Sequence, residues 1–235
     1  SHRPGPGDRG RALWGERVIC GVDEAGRGPV IGPMVVAGVA IESDALLRKL
    51  NVRDSKKLTA ERREALAPEI RKVASHEVHV IPAENIDEMR AEMTLNEFEA
   101  KLFAMIIAKL HPEIAYVDSA DVNEFEFRRA IARRLPFDVE IVSKHGADDL
   151  FPVVSAASIL AKVRRDDEMR RIEAELGERI GSGYSHDQET IAFLEKWIHE
   201  KGSLPPHTRA SWDTSKRLLS AAGTRKLDEF GGAKP

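Results

Sequence analysis

The sequence predicts a mixed α/β fold, in which helices flank a β-sheet. Short runs rich in Val and Ile alternate with longer segments of helical periodicity, and three of these short runs lead directly into acidic residues. The predicted order is two strands, a helix, and then three strands that each precede a helix. Further helix follows at the C-terminal end.

Five strands are predicted from short apolar runs. The first two cover residues 18–23 and 30–41, and Gly and Pro residues interrupt the chain between them. The other three cover residues 77–81, 114–117 and 139–142. Their short lengths and β-branched content favour strands over helices.

The clearest helix start is a capping box at Thr94 and Glu97, which is followed by apolar residues at helical spacing. His111 and Pro112 end this helix. The other predicted helices cover 59–74, where Pro68 interrupts the pattern, 122–135, 152–176 and 187–200. In the helix over 122–135, the side chains expected to face inward are Val122, Phe125, Ile131 and Leu135.

Composition excludes several classes of protein. The chain has 235 residues, of which 42 % are hydrophobic and 32 % are charged, so it is neither disordered nor of low complexity. The single cysteine, Cys20, excludes an internal disulfide and a cysteine-ligated zinc site. The uncharged stretch 28–41 is shorter than the roughly 20 residues of a membrane span, and no signal peptide is visible. We therefore expect a cytoplasmic protein with no membrane partner.

Charge is unevenly distributed, although the net charge is only −3. Residues 84–99 are acidic, whereas residues 201–230 carry six bases against three acids. One interpretation is that the basic segment binds a polyanionic substrate, so that its removal after Gly202 would leave the metal site assembled. The other is that it only covers apolar surface. The candidate residues for phosphate contact are Lys201, Arg209, Lys216 and Arg217, and Trp212 could pack the segment onto the domain.

Acidic residues follow three of the predicted strands. Asp23 and Glu24 follow the first, Asp118 follows the fourth, and Asp148 and Asp149 follow the fifth. Ligand sites of open α/β sheets form at the carboxyl ends of strands, and converging carboxylates stay ionised only around a cation. Oxygen ligands without cysteine favour Mg²⁺ or Mn²⁺, and two such ions are typical of phosphodiester cleavage.

The glycines after the first strand suggest close approach to a ligand. Gly26 and Gly28 begin a dinucleotide-binding pattern, but Ile31 stands where its third glycine is needed, and a β run follows instead of a helix. Glycine permits close backbone approach, and beside acidic residues this pattern indicates approach of a sugar–phosphate backbone.

These features belong to a set of five motifs. They are GVDEAGRGP at 21–29, DSKKL at 54–58, YVDS at 116–119, SAASILAKV at 155–163 and GSGY at 181–184. Together they resemble type 2 ribonuclease H, most closely its archaeal members, over residues 17–220. The resemblance implies a ribonuclease H-like mixed sheet flanked by helices, with a C-terminal helical extension. The implied organisation is a tail over 1–17, a catalytic domain over 18–178, and the extension and tail over 179–235.

The resemblance also implies an activity and a set of site residues. The activity is endonucleolytic hydrolysis of RNA in RNA–DNA hybrids and at ribonucleotides embedded in duplex DNA, by two ions of Mg²⁺ or Mn²⁺, with 5′-phosphate and 3′-hydroxyl products and a role in DNA replication and repair. The implied metal ligands are Asp23, Glu24, Asp118 and a fourth acid, which is Asp148 by the family pattern although Asp149 is adjacent. The implied substrate contacts are Gly26, Arg27 and Gly28 at 2′-hydroxyls, Tyr184 at a sugar, and Lys56 and Lys57 at phosphates, and Ser158 and Lys162 are further substrate-binding candidates.

Two other functions stay open. The acids could serve another metal-dependent nuclease or resolvase of the same fold, which comparison of hybrid with all-DNA duplex would reveal. The chain could instead be a non-catalytic nucleic-acid binder, which would bind without Mg²⁺-dependent turnover. The shorter, archaeal-like form is expected to act as a monomer.

Overall fold

One five-stranded mixed sheet organises the molecule, and its strand order is β3-β2-β1-β4-β5. The computed structural model describes residues 17–53 and 57–231, with side chains to residue 223. Strands β1, β2 and β3 pair antiparallel, whereas β4 and β5 join β1 in parallel. The strands are β1 (Ile19–Ala25), β2 (Met34–Ile41), β3 (Ser75–Ile81), β4 (Ile114–Asp118) and β5 (Glu140–Lys144).

All five predicted strands are present, with shifted ends. The second begins at Met34 instead of residue 30, because Ile31 forms an isolated bridge with Thr208 and Gly32 has a positive φ of 97°. The first strand extends to Ala25 and therefore contains the acids that were expected to follow it. Residues 30–33 thus belong to the connection between β1 and β2, and this part of the connection contacts the C-terminal part of the chain.

Helices cover both faces of the sheet. The capping box at Thr94 and Glu97 is confirmed, and His111 ends that helix in the left-handed conformation with a φ of 49°. Pro68 lies inside a continuous helix. The helices are α1 (Ala45–Lys49), α2 (Ala60–Val73), α3 (Ala83–Glu92), α4 (Leu95–Leu110), α5 (Glu124–Ala132), α6 (Ala147–Leu150), α7 (Pro152–Leu176), α8 (Gln188–Lys201) and α9 (Asp213–Gly231).

The first half of α7 lies directly against β1. A Cβ atom at Gly21 would lie 2.2 Å from the carbonyl carbon of Val153, so only glycine allows this approach. The α7 residues from Pro152 to Ala161 are buried. The small apolar residues of this segment therefore hold the helix close to the strand that carries Asp23.

The inward face predicted for residues 122–135 is partly wrong. The helix begins at Glu124, after Asn123 caps it, so Val122 precedes the helix and is 95 % exposed. Phe125 is 54 % exposed. The buried stripe consists of Phe127 and Ile131, four residues apart, and Phe127 contacts the Phe103 ring edge-on with centroids 5.4 Å apart.

The C-terminal segment shares a core cluster with the connection at 30–33. Val30 and Ile31 pack with Met169 of α7 and with Phe193 and Leu194 of α8. This cluster contains residues from both sides of the predicted boundary at 178/179, and that boundary stays a prediction. Among the helices of the described residues, none is long and apolar enough to cross a membrane.

Candidate active site

Three aspartates converge at one end of the sheet. Asp23, Asp118 and Asp148 each present a carboxylate oxygen, and these oxygens all lie within 4.8 Å of one another. Val22 pairs with Val117 in the parallel β1–β4 ladder, which places Asp23 and Asp118 side by side on neighbouring strands. The sequence-based expectation that acids at these strand ends meet is therefore confirmed for these three residues.

The turn after β5 brings the third aspartate to the other two. Gly146 adopts a positive φ of 64°, and α6 begins at the next residue. The amides of Gly146 and Ala147 donate to Oδ1 of Asp118, at 2.9 and 3.4 Å. Asp148 is only 2 % exposed and lies in the cluster, whereas Asp149 is exposed and lies outside it.

The cluster has the electrostatics of a cation site. Burial and then the charge of Asp118 raise the pKa of Asp23 to about 7, although a hydrogen bond from Ser158 opposes the rise. Three carboxylates held this close repel one another unless a cation lies between them. Their donor set consists of oxygen atoms alone, which fits a hard divalent ion such as Mg²⁺ or Mn²⁺.

Glu24, the remaining predicted ligand, lies outside the 4.8 Å group. It is half-buried, and its Oε2 has no hydrogen-bond partner among the described residues. Burial and then the charge of Glu99 raise its pKa well above the usual range. Sequence reasoning missed Glu99, a wholly buried glutamate on α4. The available signal was its position four residues after Leu95 and four before Phe103, within the inward stripe.

The loop at 26–28 lies beside the cluster, and the Arg27 side chain is held by the protein. Its Nε donates to Oε2 of Glu99 at 2.7 Å, and Nη2 donates to the side-chain oxygen of Asn96. Burial raises the pKa of Glu99, and the Arg27 charge opposes this. Because the guanidinium is engaged in this way, the groups of Arg27 best placed to meet a ligand are those of its backbone.

A cleft of about 240 Å³ opens between this loop and α7. Tyr184 lies at the cleft, with the Arg165 guanidinium 5.4 Å from its ring centroid. The structure thus brings two of the predicted substrate-binding side chains, Lys162 and Tyr184, next to the predicted backbone loop. The cleft is lined by Glu24, Ala25, Gly26, Arg27, Gly28, Lys162, Arg165, Asp166 and Tyr184.

The remaining predicted substrate residues have different placements. Ser158 is wholly buried and its hydroxyl hydrogen-bonds to Asp23, which connects α7 to the aspartate cluster. Lys57 is exposed, and Lys56 lies outside the described residues. Their contacts with a substrate stay predictions.

The predicted role of Arg209 as a surface phosphate contact is wrong. Its side chain is wholly buried, and its three guanidinium nitrogens donate to the backbone carbonyls of Gly26, Arg27 and Gly32. Removal of the chain after Gly202 would therefore take away support of the loop at 26–28, and the expectation that this removal leaves the metal site assembled stays a prediction. The other candidates, Lys201, Lys216 and Arg217, are exposed. Trp212 packs onto the domain, as predicted.

Comparison with known proteins identifies the family. The family model for ribonuclease HII matches residues 20–215. Ribonuclease HII of Thermococcus kodakarensis is 49 % identical over 216 residues, which cover 90 % of this chain and 93 % of the relative.

Solved structures agree with this match. The crystal structure of ribonuclease H2 from Pyrococcus horikoshii has a TM-score of 0.82 at 37 % identity, covering 88 % of this chain and 99 % of that chain. Ribonuclease HII of Archaeoglobus fulgidus, solved as a complex with PCNA, has a TM-score of 0.78 at 46 % identity, covering 83 % of this chain and 95 % of that chain. With the aspartate cluster in the expected place, the chain belongs to the ribonuclease HII family and is an endonuclease of the ribonuclease H type.

Proposed function

We propose that the protein hydrolyses the RNA strand of RNA–DNA hybrids and also cleaves at ribonucleotides embedded in duplex DNA. The observation that carries this proposal is the aspartate cluster beside a glycine loop and Tyr184. A nuclease that selects RNA must read the 2′-hydroxyl, which is reached from the shallow minor groove. A loop containing two glycines allows its backbone to approach that group closely.

The proposed metal ligands are Asp23, Glu24, Asp118 and Asp148. Two divalent ions, Mg²⁺ or Mn²⁺, would activate water and stabilise the leaving 3′-oxygen, giving 5′-phosphate and 3′-hydroxyl ends. The chain's own contribution is orientation: the Gly146 and Ala147 amides fix one oxygen of Asp118, while Ser158 and the Glu24 amide hold Asp23. Glu24, with one oxygen unpartnered among the described residues, would supply a further carboxylate ligand.

The proposed substrate contacts surround the cleft. The backbone of Gly26, Arg27 and Gly28 would meet the 2′-hydroxyls, and the Tyr184 ring would stack on the sugar at the RNA–DNA junction. Among the lysines, Lys162 lines the cleft and Lys57 is exposed, which supports phosphate contacts for both and, by sequence adjacency, for Lys56. Ser158 would influence the phosphate contacts only indirectly, because its hydrogen bond to Asp23 helps to hold α7 in place.

The decisive experiment uses a DNA duplex with one embedded ribonucleotide, with Mg²⁺ and with excess chelator. We expect Mg²⁺-dependent cleavage at the ribonucleotide, and no cleavage of an all-DNA duplex of the same sequence. Cleavage of both duplexes would favour the other nuclease or resolvase, and binding without turnover would favour a non-catalytic binder. Full activity in chelator would exclude metal-dependent chemistry.

We also propose that the protein is a monomer in the cytoplasm, which light scattering and fractionation test. The PCNA complex of the Archaeoglobus fulgidus relative supports a PCNA partner for this chain as well. Co-elution with the PCNA of its own organism is the test, and separate elution at micromolar concentration would exclude a stable complex.

A further inference from the structure

Two residues of the C-terminal segment hold all three carbonyls of the loop at 26–28. The Arg209 guanidinium donates to the carbonyl of Gly26, and its Nη1 donates to that of Arg27 at 2.7 Å. The indole Nε1 of Trp212 donates to the carbonyl of Gly28 at 3.3 Å. Arg209 Nε also donates to the carbonyl of Gly32, at 3.1 Å, so the same side chain spans both ends of the connection.

Arg209 is itself firmly anchored. Its amide donates to the Val30 carbonyl at 2.8 Å, and its carbonyl accepts from Ser215 Oγ at 2.7 Å. The guanidinium lies 4.9 Å from the centroid of the Trp212 ring. Asp87 of α3 accepts from the amides between them, at Ala210 and Ser211, and thereby fixes the segment against the sheet domain.

The burial of this arginine indicates a specific purpose. Removing a cation from water is unfavourable, and an apolar side chain of similar length would fill the same space at lower cost. The rigid guanidinium fork, by contrast, can bind several carbonyls in one defined geometry. The side chain is therefore suited to setting the orientation of the loop's peptide planes.

Peptide geometry connects these carbonyls to the substrate side. No cis peptide bond occurs in the described chain, and in a trans peptide the N–H points away from the C=O of the same plane. Holding the carbonyls of Gly26 and Arg27 therefore directs the amides of Arg27 and Gly28 away from Arg209. Pro29 follows and has no N–H, so these two amides are the donors whose direction the carbonyl bonds set.

We propose that Arg209 and Trp212 are positioning residues for recognition of ribose: Arg209 directs the amides of Arg27 and Gly28 toward the 2′-hydroxyl, and Trp212 fixes the end of the loop through the Gly28 carbonyl. The inference rests on the proposed function, because the loop must read ribose for its geometry to matter. It assigns to the C-terminal segment a part in sugar selection that is distinct from charge attraction.

The test measures selectivity of binding instead of rate. Dissociation constants are determined for an RNA–DNA hybrid and an all-DNA duplex of one sequence, in an Asp118→Asn background that suppresses cleavage. The variants are Arg209→Met and Arg209→Lys, which remove the fork, and Trp212→Phe, which keeps the ring but removes the Nε1 donor. The matched control is Ile198→Ala, which removes buried volume from α8 without touching the loop's hydrogen bonds. Mn²⁺ titration of each variant with Asp118 intact verifies the metal site.

We expect the preference for hybrid over DNA to fall at least about 10-fold in both Arg209 variants and about 3-fold in Trp212→Phe. The reason is that loss of one hydrogen bond changes an affinity by up to about 10-fold, and the Arg209 variants lose more of these bonds than Trp212→Phe does. The preference should be unchanged in Ile198→Ala, and Mn²⁺ affinity should be unchanged throughout. Retention of charge in Arg209→Lys should not restore selectivity, because lysine lacks the fork.

An unchanged preference in folded Arg209→Met would overturn the positioning role, as would an equal loss in Ile198→Ala. If both Arg209 variants fail to fold, Trp212→Phe becomes the test, because Trp212 is only half-buried. An unchanged preference for hybrid in that variant would then overturn the positioning role. A parent protein without any preference for hybrid would instead contradict the proposed function itself.

Discussion

Arg27 and Glu99 form an ion pair that joins the loop at 26–28 to helix α4, with Nε 2.7 Å from Oε2. The Glu99 side chain is wholly buried, whereas that of Arg27 is 36 % exposed. Asn96, one turn earlier on α4, accepts a second bond from Arg27 and donates to Asp121 after β4. The loop is thus held by its side chain from α4 and by its carbonyls from the C-terminal segment.

Glu99→Gln should weaken this attachment. The amide keeps the shape of the side chain but loses the charge that pairs with Arg27, and a hydrogen bond to a charged group contributes about 1.5–3 kcal/mol. Because burial raises the pKa of Glu99, removal of its charge also relieves a desolvation cost, which offsets much of this loss. We therefore expect the free energy of unfolding in urea to change by less than about 1 kcal/mol, while cleavage of hybrid falls because the loop loses its anchor on α4. Glu88→Gln on the exposed face of α3 is the control and should change neither quantity. Unchanged cleavage by Glu99→Gln would show that the pair does not hold the loop.

Asp118→Asn should fold normally and lose at least roughly 100-fold in cleavage rate. Asparagine keeps the oxygen that accepts from the Gly146 and Ala147 amides, but it removes a charge from the cluster. The control is Asp149→Asn, next to the cluster and exposed, which should retain nearly full activity. Near-normal turnover of Asp118→Asn with normal circular dichroism would exclude Asp118 from catalysis.

Alanine at the two loop glycines should affect different properties: Gly26→Ala should lower stability, whereas Gly28→Ala should lower activity. At Gly26, with a φ of 78°, an added Cβ would lie 2.3 Å from Nε of the buried Arg165 and 2.6 Å from the Pro33 carbonyl oxygen. Gly26→Ala should therefore destabilise the protein by about 1–3 kcal/mol. At Gly28 the nearest atom is Cε1 of Tyr184, at an ordinary 3.6 Å.

Gly28→Ala should accordingly keep its stability within about 0.5 kcal/mol. Its methyl group would project toward Tyr184, where the proposed sugar site lies, so cleavage of hybrid should fall at least about 10-fold through misplacement of the substrate. Thermal unfolding and steady-state kinetics on the same preparations separate the two effects. Full activity of Gly28→Ala would place the ribose elsewhere.

Tyr184→Ala should impair cleavage at an RNA–DNA junction more than cleavage within a long hybrid. The ring offers a flat face beside Gly28, and aromatic stacking on a nucleotide contributes about 1–3 kcal/mol in related recognition. Tyr184→Phe keeps that face and serves as the control, with activity close to the parent protein on both substrates. Equal losses on the two substrates would indicate that Tyr184 only supports the fold.

The metal-free protein should lose stability as the pH rises toward 8. Because the pKa of Asp23 is raised from 3.8 to about 7, its contribution is fully present below pH 3.8 and is lost as the pH rises through 7. Asp23→Asn should remove this loss and be more stable at pH 8 by on the order of 4 kcal/mol, since the rise is about three pKa units and one unit corresponds to about 1.4 kcal/mol. Urea unfolding in chelator at pH 5, 6, 7 and 8 is the measurement. Parallel pH profiles for the two proteins would contradict a raised pKa at Asp23.

The sequence by itself predicted the five strands, the helices α2, α4, α5, α7 and α8, and the convergence of the acids, but it did not predict α1, α3, α6 or α9 as separate helices. Val- and Ile-rich runs identified all five strands, and the Thr94–Glu97 capping box located the start of α4, because both signals depend on neighbouring residues. The convergence of Asp23 with Asp118 followed from the rule that strand ends of one sheet meet. The prediction of the inward face at residues 122–135 was partly wrong because Asn123 caps the helix, and the helix start determines which residues face the core.

Only the tertiary structure decided how the site is supported. It brought Asp148 instead of Asp149 into the cluster, paired Arg27 with a glutamate 72 residues away, and carried Arg209 from a predicted basic surface into the interior. Arg209 meets the Gly26 carbonyl across 183 residues of chain. Local periodicity contains no information about such contacts, because the sequence around a charged residue does not show whether its partner is water or the backbone of a distant loop.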